Sequence, residues 1–112
     1  MTDDVTPDFK IPRTRCPEHL EWLRTLPCAI PGCHHTPSQP HHLTCAPEPK
    51  ARGMKAGDVW AVPLCWRHHD ARSGQSVHYR GDERSWWAAY HLDPIVIATG
   101  LADRSRRLGI LP

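Results

Sequence analysis

The segment DVWAVPLCWRHH, residues 58–69, combines a strand pattern with candidate metal ligands. Residues 58–64 alternate in polarity and are rich in β-forming side chains, which predicts a strand. Pro63 has no backbone N–H to donate, so we expect this strand at a sheet edge or near its own end. Residues 65–72 predict a helix that follows directly. The segment therefore indicates a strand that leads into a ligand-bearing helix.

Weaker patterns on either side predict the other elements. Apolar spacing between flanking prolines indicates a helix over residues 17–26, and residues 39–44 indicate a first strand. Two further helices are predicted over residues 82–91 and 95–108. The order of these elements predicts a small α+β fold.

Length and composition limit the core that the chain can build. Its 112 residues suffice for a single domain, residues 16–112, preceded by a disordered or extended N-terminal arm, residues 1–15. Only 39% of the chain is hydrophobic, and twelve Pro and seven Gly interrupt it. A core of this kind usually needs disulfides or a metal ion to hold it.

The N-terminus and the cysteines together favour metal. No apolar run approaches the roughly 18 residues of a membrane span, so no membrane association is expected. The acidic N-terminus lacks the apolar segment of a secretory signal, so we expect a cytoplasmic protein. In that compartment, five cysteines indicate metal ligands rather than disulfides.

Two close pairs of ligands predict a structural zinc site. Cys28 and Cys33 form a C-x4-C pair, and Cys65 and His68 form a C-x2-H pair at the start of a helix. Zinc commonly takes four such ligands as two pairs, and four protein ligands close the site. The alternatives are that the cysteines are small buried residues, or that the fourth ligand is His69 or one of the pair at residues 34–35.

A second constellation contains only histidines. His41 and His42 end the first predicted strand, His69 follows the proposed zinc ligand on the helix, and His78 comes nine residues later. Adjacent residues on a strand face opposite sides, so one histidine of the pair can bind a divalent cation while the other accepts a proton. The alternative is that these histidines complete a second structural zinc site.

Together these residues resemble a known family. The elements that carry the resemblance run through most of the chain: Cys28 and Cys33, His41-His42, a loop from Lys50 to Lys55, the strand that ends at Cys65, His68-His69, His78, Gly81-Asp82-Glu83 and Trp86-Trp87. This pattern is similar to that of the zinc-containing HNH endonucleases (His-Me finger, ββα-metal). Within them it resembles the phage and prophage group that includes the phage recombination-enhancement nucleases.

The resemblance implies a ββα-metal core with a structural zinc knuckle, flanking helices and assigned site residues. Cys28, Cys33, Cys65 and His68 would hold the zinc. His42 would be the general base, and His41, His69 and His78 would bind Mg²⁺ or another divalent cation. The chain contains no Asn, which the family uses to orient the base, and Asp58 is the candidate replacement.

The resemblance and the charge both point to DNA as partner, with single-stranded and branched forms left open. Residues 9–112 carry 14 basic and 9 acidic side chains, most of the cations being Arg. The candidate phosphate contacts are Lys50, Arg52 and Lys55 in the loop between the strands, and Arg67 and Arg72 on the helix. Four of the five tryptophans, Trp60, Trp66, Trp86 and Trp87, are expected to fill the core rather than to stack on bases.

The function predicted from these features is a metal-dependent DNA endonuclease of low sequence specificity, acting in the cytoplasm of a bacterial host. The alternative is a catalytically inactive, zinc-stabilised DNA-binding module in phage recombination or replication, which the missing Asn favours. A third possibility is an interaction protein in which zinc only holds the fold. Protein partners cannot be named from the sequence.

Overall fold

Two short strands pair at the centre of the fold. The computed structural model describes residues 13–48 and 55–112. Within them, β1 (Gln39–His42) and β2 (Ala61–Leu64) form an antiparallel sheet in which His41 lies opposite Val62 and His42 opposite Ala61. Both strands are edge strands in this two-stranded sheet. An edge strand is where a residue without a backbone N–H, such as Pro63, is tolerated.

Five α-helices surround this sheet in the described part of the chain. They are α1 (Pro17–Arg24), α2 (Trp66–His69), α3 (Val77–Arg80), α4 (Glu83–Ala89) and α5 (Pro94–Arg107). None of them is long and apolar enough to cross a bilayer. The small α+β class predicted from the sequence is therefore confirmed, with a two-stranded sheet.

The second predicted strand was too long at its start. Residues Asp58–Trp60 form a 3-10 helix, and the strand begins only at Ala61. The backbone N–H of Asp58 donates to Thr14 O at 2.8 Å, and that of Trp60 donates to Gly57 O at 3.0 Å. These bonds curl the chain and turn the Asp58 side chain inward, which an extended strand with alternating polarity would not do.

The helices also differ in detail from the prediction. α2 has four residues where eight were predicted, since Cys65 is its N-cap and Asp70 its C-cap. The sequence prediction missed α3. The side chain of Ser76 accepts the N–H of Tyr79 at the start of α3, and Gly81, with φ of 81°, ends it. These capping signals were present in the sequence.

The core lies between the sheet and the C-terminal helices. All four residues of β2 are buried, and Leu64 packs in one apolar cluster with Leu43, Trp86 and Trp87. The expected core role of Trp86 and Trp87 is confirmed, and Trp60 is partly buried against the same cluster. Trp66 contradicts the expectation, because half of its surface is exposed. The first turn of α2 points this ring away from the core.

The predicted N-terminal arm falls largely outside the described residues. Residues 1–12 lie outside them, and so do Lys50 and Arg52 of the predicted DNA-binding loop. Residues 13–15 contact the domain: Arg13 pairs with Glu48 at 3.1 Å, and Arg15 donates to the carbonyl of Ala56 at 3.0 Å. The chain therefore joins the domain by residue 13.

A buried histidine connects the first and last helices. His19 on α1 has no exposed surface, and its Nδ1 lies 2.8 Å from the Ser105 hydroxyl on α5. Burial lowers the pKa of His19 below 6.5, and the Arg106 charge adds to this, although the Asp58 charge opposes it. The folded protein therefore holds His19 in its neutral form, while the unfolded chain binds a proton near pH 6.5.

This histidine should make stability depend on pH. The stability that neutral His19 contributes is fully present above pH 6.5 and falls as the pH drops below that value, because the unfolded state then takes up the proton. We expect His19→Gln to lower the melting temperature at pH 7.5, and the gap from wild type to narrow at pH 5.5. Thermal unfolding of both zinc-loaded proteins measures this. A gap that does not change with pH would contradict it.

Candidate metal centres

The four predicted zinc ligands lie together where the knuckle, residues 28–33, meets the junction between β2 and α2. Cys28, Cys33, Cys65 and His68 each offer a ligand atom, and these atoms all lie within 4.8 Å of one another. The Nδ1 atom of His68 lies 3.4 Å from Cys28 Sγ and 3.3 Å from Cys65 Sγ. The sulfurs of Cys33 and Cys65 are 3.7 Å apart.

These separations fit a tetrahedral zinc site. Zinc–sulfur bonds of about 2.3 Å and zinc–nitrogen bonds of about 2.0–2.1 Å place tetrahedral ligand atoms about 3.5–3.8 Å apart. The cluster is therefore nearly preformed, and its three thiols and one imidazole are a donor set that zinc prefers. Four protein ligands leave no open position, which is typical of a structural site.

Local backbone structure places these ligands. Gly32, with φ of 80°, allows the tight turn that returns the chain to Cys33, whose N–H donates to Ile30 O at 3.0 Å. On the other side, the N–H groups of His68 and His69 both donate to the carbonyl of Cys65. A bond of 2.8 Å from Ala29 N to Pro63 O joins the knuckle to β2.

The environment of the cluster shifts the pKa values of two of its thiols in opposite directions. Burial raises the pKa of the Cys28 thiol to about 12. Hydrogen bonds from nearby backbone N–H groups lower this pKa, but by less than burial raises it. For Cys33, burial is outweighed by hydrogen bonds from the backbone at residue 35 and from neighbouring sulfurs, so its pKa is lowered. Because zinc binds thiolates, loading this site must release protons, including that of Cys28.

Three histidines form a second, more open cluster. One ring nitrogen each from His41, His69 and His78 lie within 4.8 Å of one another, and the ring centroids are 4.8–5.3 Å apart. His41 is buried, His69 half-buried and His78 exposed. Among the described residues this group has three members, as in metal sites that keep a position open, whereas a second structural zinc site would need a fourth ligand.

In two rings of this cluster, those of His69 and His78, the pKa is lowered, which favours the neutral form. Burial lowers the pKa of His69 to about 4, and the neighbouring His41 and His78 lower it further. Burial and His41 also lower the pKa of His78, against the charges of Glu83 and Asp70. Neutral imidazole is the form that binds a metal ion.

A buried carboxylate fixes the orientation of His41. The Glu83 carboxylate accepts hydrogen bonds from His41 Nε2 at 3.0 Å, Trp87 Nε1 at 2.9 Å, the Thr44 N–H at 2.7 Å and the Thr44 hydroxyl. Burial would raise the pKa of Glu83, but these donors lower it to about 2. Since the ionised carboxylate can only accept, His41 Nε2 carries the proton and Nδ1 keeps its lone pair for a metal.

Gln39 plays the corresponding role for His69. Its Oε1 lies in close hydrogen-bonding contact with His69 Nδ1. An amide oxygen accepts a hydrogen bond, so Nδ1 donates and Nε2 of His69 is left with its lone pair. Both ligands are thus oriented by a partner on the ring nitrogen that the metal would not use.

His42 points to a different partner. Its Nε2 lies 2.8 Å from Asp58 Oδ1, while Asp58 Oδ2 accepts the Cys16 N–H at 2.7 Å. Arg15 approaches the same carboxylate at 3.7 Å. The 3-10 helix that interrupted the predicted strand is what brings Asp58 to His42. This contact fixes the ring and leaves Nδ1 of His42 as the nitrogen able to accept a proton.

The two histidine groups share one cleft, here called the histidine cleft. Its volume is about 340 Å³, and it is lined by residues 40–44, Lys55, Ala56, His69 and His78. Of the predicted phosphate contacts, Lys55 lies here. Arg67 lines a different depression, and Arg72 is exposed and forms a two-bond contact with Asp70.

Sequence reasoning assigned no role to Glu83 or Gln39. Glu83 was visible only as part of the Gly-Asp-Glu element, directly after the N-cap Asp82 and four residues before Trp87. Gln39 occurs two residues before the histidine pair, on the same side of β1 as His41. Spacing relative to a predicted ligand would have identified Gln39, whereas the contacts of Glu83 are long-range and have no such signal.

Comparison with known proteins assigns the chain to a family. It belongs to the family described as "Protein of unknown function (DUF968)", whose model matches residues 6–109. It is also 34% identical over 74 residues to "Uncharacterized protein YdfU" of Escherichia coli (strain K12). That alignment covers 63% of this chain and 20% of YdfU, so the chain spans about a fifth of its relative's length. No solved structure matches the chain.

The zinc cluster predicts a clear difference between two cysteine substitutions. Cys28→Ser removes one of four ligands and should release the zinc and unfold much of the domain. Cys45→Ser changes a half-buried cysteine outside the cluster and should retain one zinc per chain. Zinc content by mass spectrometry, with circular dichroism on the same samples, measures both. A full zinc equivalent in the Cys28 variant would remove this residue from the site.

The Glu83 network predicts a large loss of stability. Glu83→Ala leaves the donors of His41, Thr44 and Trp87 without an acceptor, which should lower the free energy of unfolding by about 2–4 kcal/mol. The matched control is Glu21→Ala, which removes an exposed ion pair with Arg24 and should cost less than about 1 kcal/mol. Urea unfolding of the zinc-loaded proteins compares them; equal losses would refute the anchoring role.

Proposed function

We propose that this protein is a metal-dependent endonuclease of the HNH type that hydrolyses phosphodiester bonds in DNA. The observation that carries the proposal is one cleft in which His42, held by Asp58, lies beside the three-histidine cluster. A general base and a cation site side by side are what hydrolysis of a phosphodiester requires.

The arrangement of elements supports a ββα-metal core. β1 supplies His41 and His42, β2 pairs with it, and α2 follows β2 directly and supplies His69. His78 comes from α3, after a short loop. In this proposal the Cys3His cluster is structural, because it fixes the junction between β2 and α2 from which His69 extends.

His42 is the proposed base. Its Nδ1 accepts a proton from water, the water oxygen forms a bond to phosphorus, and the bond between phosphorus and the leaving oxygen breaks. The Asp58 carboxylate stabilises the imidazolium that results and keeps the proton of His42 on Nε2 beforehand. Asp58 thereby supplies the orientation for which the resembling enzymes use Asn.

His41, His69 and His78 are the proposed ligands of the catalytic cation. A divalent ion at this position would neutralise negative charge on the phosphate and on the leaving oxygen. Three imidazoles favour ions such as Ni²⁺ or Zn²⁺, whereas Mg²⁺ and Mn²⁺ prefer oxygen ligands. Mg²⁺, which the resemblance implies, would therefore need oxygen ligands from water and the phosphate to bind here.

Low sequence specificity is part of the proposal. Lys55 is the cation that lines the histidine cleft among the described residues, and it would contact phosphate rather than a base edge. The alternative function, an inactive zinc-stabilised DNA-binding module in phage recombination or replication, is favoured by the absence of Asn. The position of Asp58 beside His42 favours the enzyme instead.

A plasmid-nicking assay tests the enzyme against the alternative. With added Mn²⁺ or Mg²⁺, the zinc-loaded wild type should nick supercoiled DNA, and His42→Ala should be slower by a factor of about 10²–10⁴ while retaining its zinc. The matched control is His34→Ala, an exposed histidine outside the histidine cleft, which should nick like wild type.

Two results would go against the proposal. Nicking by the His42 variant at the wild-type rate would mean that the base is elsewhere. A wild-type protein that holds its zinc and binds DNA, yet cuts no substrate with any divalent ion, would support the binding module.

A further inference from the structure

A second depression, here called the Trp66 groove, lies beside the histidine cleft. It has a volume of about 660 Å³ and is lined by Arg24, residues 35–39 and residues 65–67. Sites of about 300–1,000 Å³ accommodate ligands of nucleotide size. None of the residues that line it is acidic. The groove is therefore large enough for a nucleotide and has no carboxylate on its walls to repel a phosphate.

Trp66 provides an aromatic surface on this groove. Half of its surface is exposed, and the residue before it in the chain, Cys65, belongs to the zinc cluster. The Arg72 guanidinium lies 5.8 Å from the ring centroid and is fixed by Asp70, but Arg72 does not line the groove. Arg72 therefore lies over the ring without lining the groove, while Trp66, half of it exposed, is one of the residues that line it.

Cationic groups lie on the same walls. Arg67 is exposed, and one of its guanidinium nitrogens contacts His35 Nε2 at 2.8 Å, which leaves its other donors for an anion. Arg24 lines the groove and pairs with Glu21 at the rim, an exposed contact that a phosphate can replace. An aromatic face beside guanidinium groups is the usual combination for binding single-stranded nucleic acid.

The groove and the histidine cleft meet at one pair of side chains. Gln39 lines the Trp66 groove, and its Oε1 contacts Nδ1 of His69, which lines the histidine cleft. The next residue of β1, Pro40, lines the cleft as well. The two depressions are therefore neighbours, with this hydrogen-bonded pair between them.

We propose that the Trp66 groove binds unpaired nucleotides of the DNA strand whose phosphodiester lies in the histidine cleft. One base stacks on Trp66, and the adjoining phosphate pairs with Arg67. The base must be unpaired, because in a duplex both of its faces are covered by neighbouring bases. This inference rests on the proposed function and narrows its substrate to single-stranded DNA or to the unpaired segment of a branched molecule.

Binding measured without cleavage tests the groove. With zinc-loaded protein and no other divalent ion, we expect fluorescein-labelled dT12 to bind more tightly than a 12-base-pair duplex. Trp66→Ala should weaken dT12 binding about tenfold or more and leave duplex binding unchanged, while Trp66→Phe should retain most of the affinity. Arg67→Ala should reduce the slope of log affinity against log salt by about 0.7, the value for one phosphate on a single strand.

The matched control is Tyr79→Ala, an exposed aromatic residue outside the groove, which should bind dT12 like wild type. If Trp66→Ala does not fold, the groove can be tested on the wild-type protein instead. Photocrosslinking to an oligonucleotide that carries 5-iodouracil should then yield an adduct on Trp66.

Three outcomes would overturn the proposal: wild-type dT12 affinity in the Trp66→Ala variant, equal losses for single strand and duplex, or crosslinks confined to other residues. Each of these leaves the His42 result unaffected, because binding is measured without cleavage. Conversely, a different result is that the wild type cuts no DNA while Trp66→Ala still loses dT12 affinity. That result would refute the endonuclease and retain the groove as a binding site.

Discussion

The fold is organised around one constraint, which is that two ligand pairs 32 residues apart in the chain bring their ligand atoms into one cluster. The knuckle at Cys28 and Cys33 and the junction at Cys65 and His68 meet inside the apolar core, because all three cysteines belong to the same buried cluster as Leu64. The ligand atoms lie at separations close to the edges of a zinc tetrahedron. In a chain of this size, zinc at this cluster would add stability to that of the small core. The position of β2 and the direction of α2 follow from this junction.

Two buried carboxylates then separate the roles of two adjacent histidines. His41 and His42 differ little in sequence, but the strand turns them toward different partners, Glu83 on α4 and Asp58 on the 3-10 helix. Each carboxylate contacts an Nε2 atom and so leaves the Nδ1 lone pair of that ring available. In the proposed function, the same hydrogen-bonding chemistry would prepare one ring to bind a cation and the other to accept a proton. What distinguishes the two is the location of the partner, which only the folded chain provides.

The parts of this arrangement that sequence could predict are those encoded by local spacing. The ligand pairs, the helices at both ends and the histidine strand all follow from residues within a few positions of one another. Asp58 was predicted to lie beside His42, and it does, but its local structure was predicted incorrectly because its bond to Thr14 O comes from a distant segment. Glu83 reaches Thr44 across 39 residues, and no local pattern reports such a contact. Trp66 was misplaced for a related reason, since composition favours burial and only the direction of α2 exposes the ring.

The single turn of α2 joins these features. Successive residues of an α-helix point about 100° apart, so the four residues of α2 reach different sides of the helix. His68 faces the zinc cluster, His69 the histidine cleft, and Trp66 and Arg67 the groove on the other side of Gln39. A turn of this length would not be stable alone, and the ligands at Cys65 and His68 fix its orientation. Zinc bound at this cluster would therefore act on the proposed chemistry at a distance, because the cluster also sets the angle between His69, a proposed cation ligand, and the aromatic surface of Trp66.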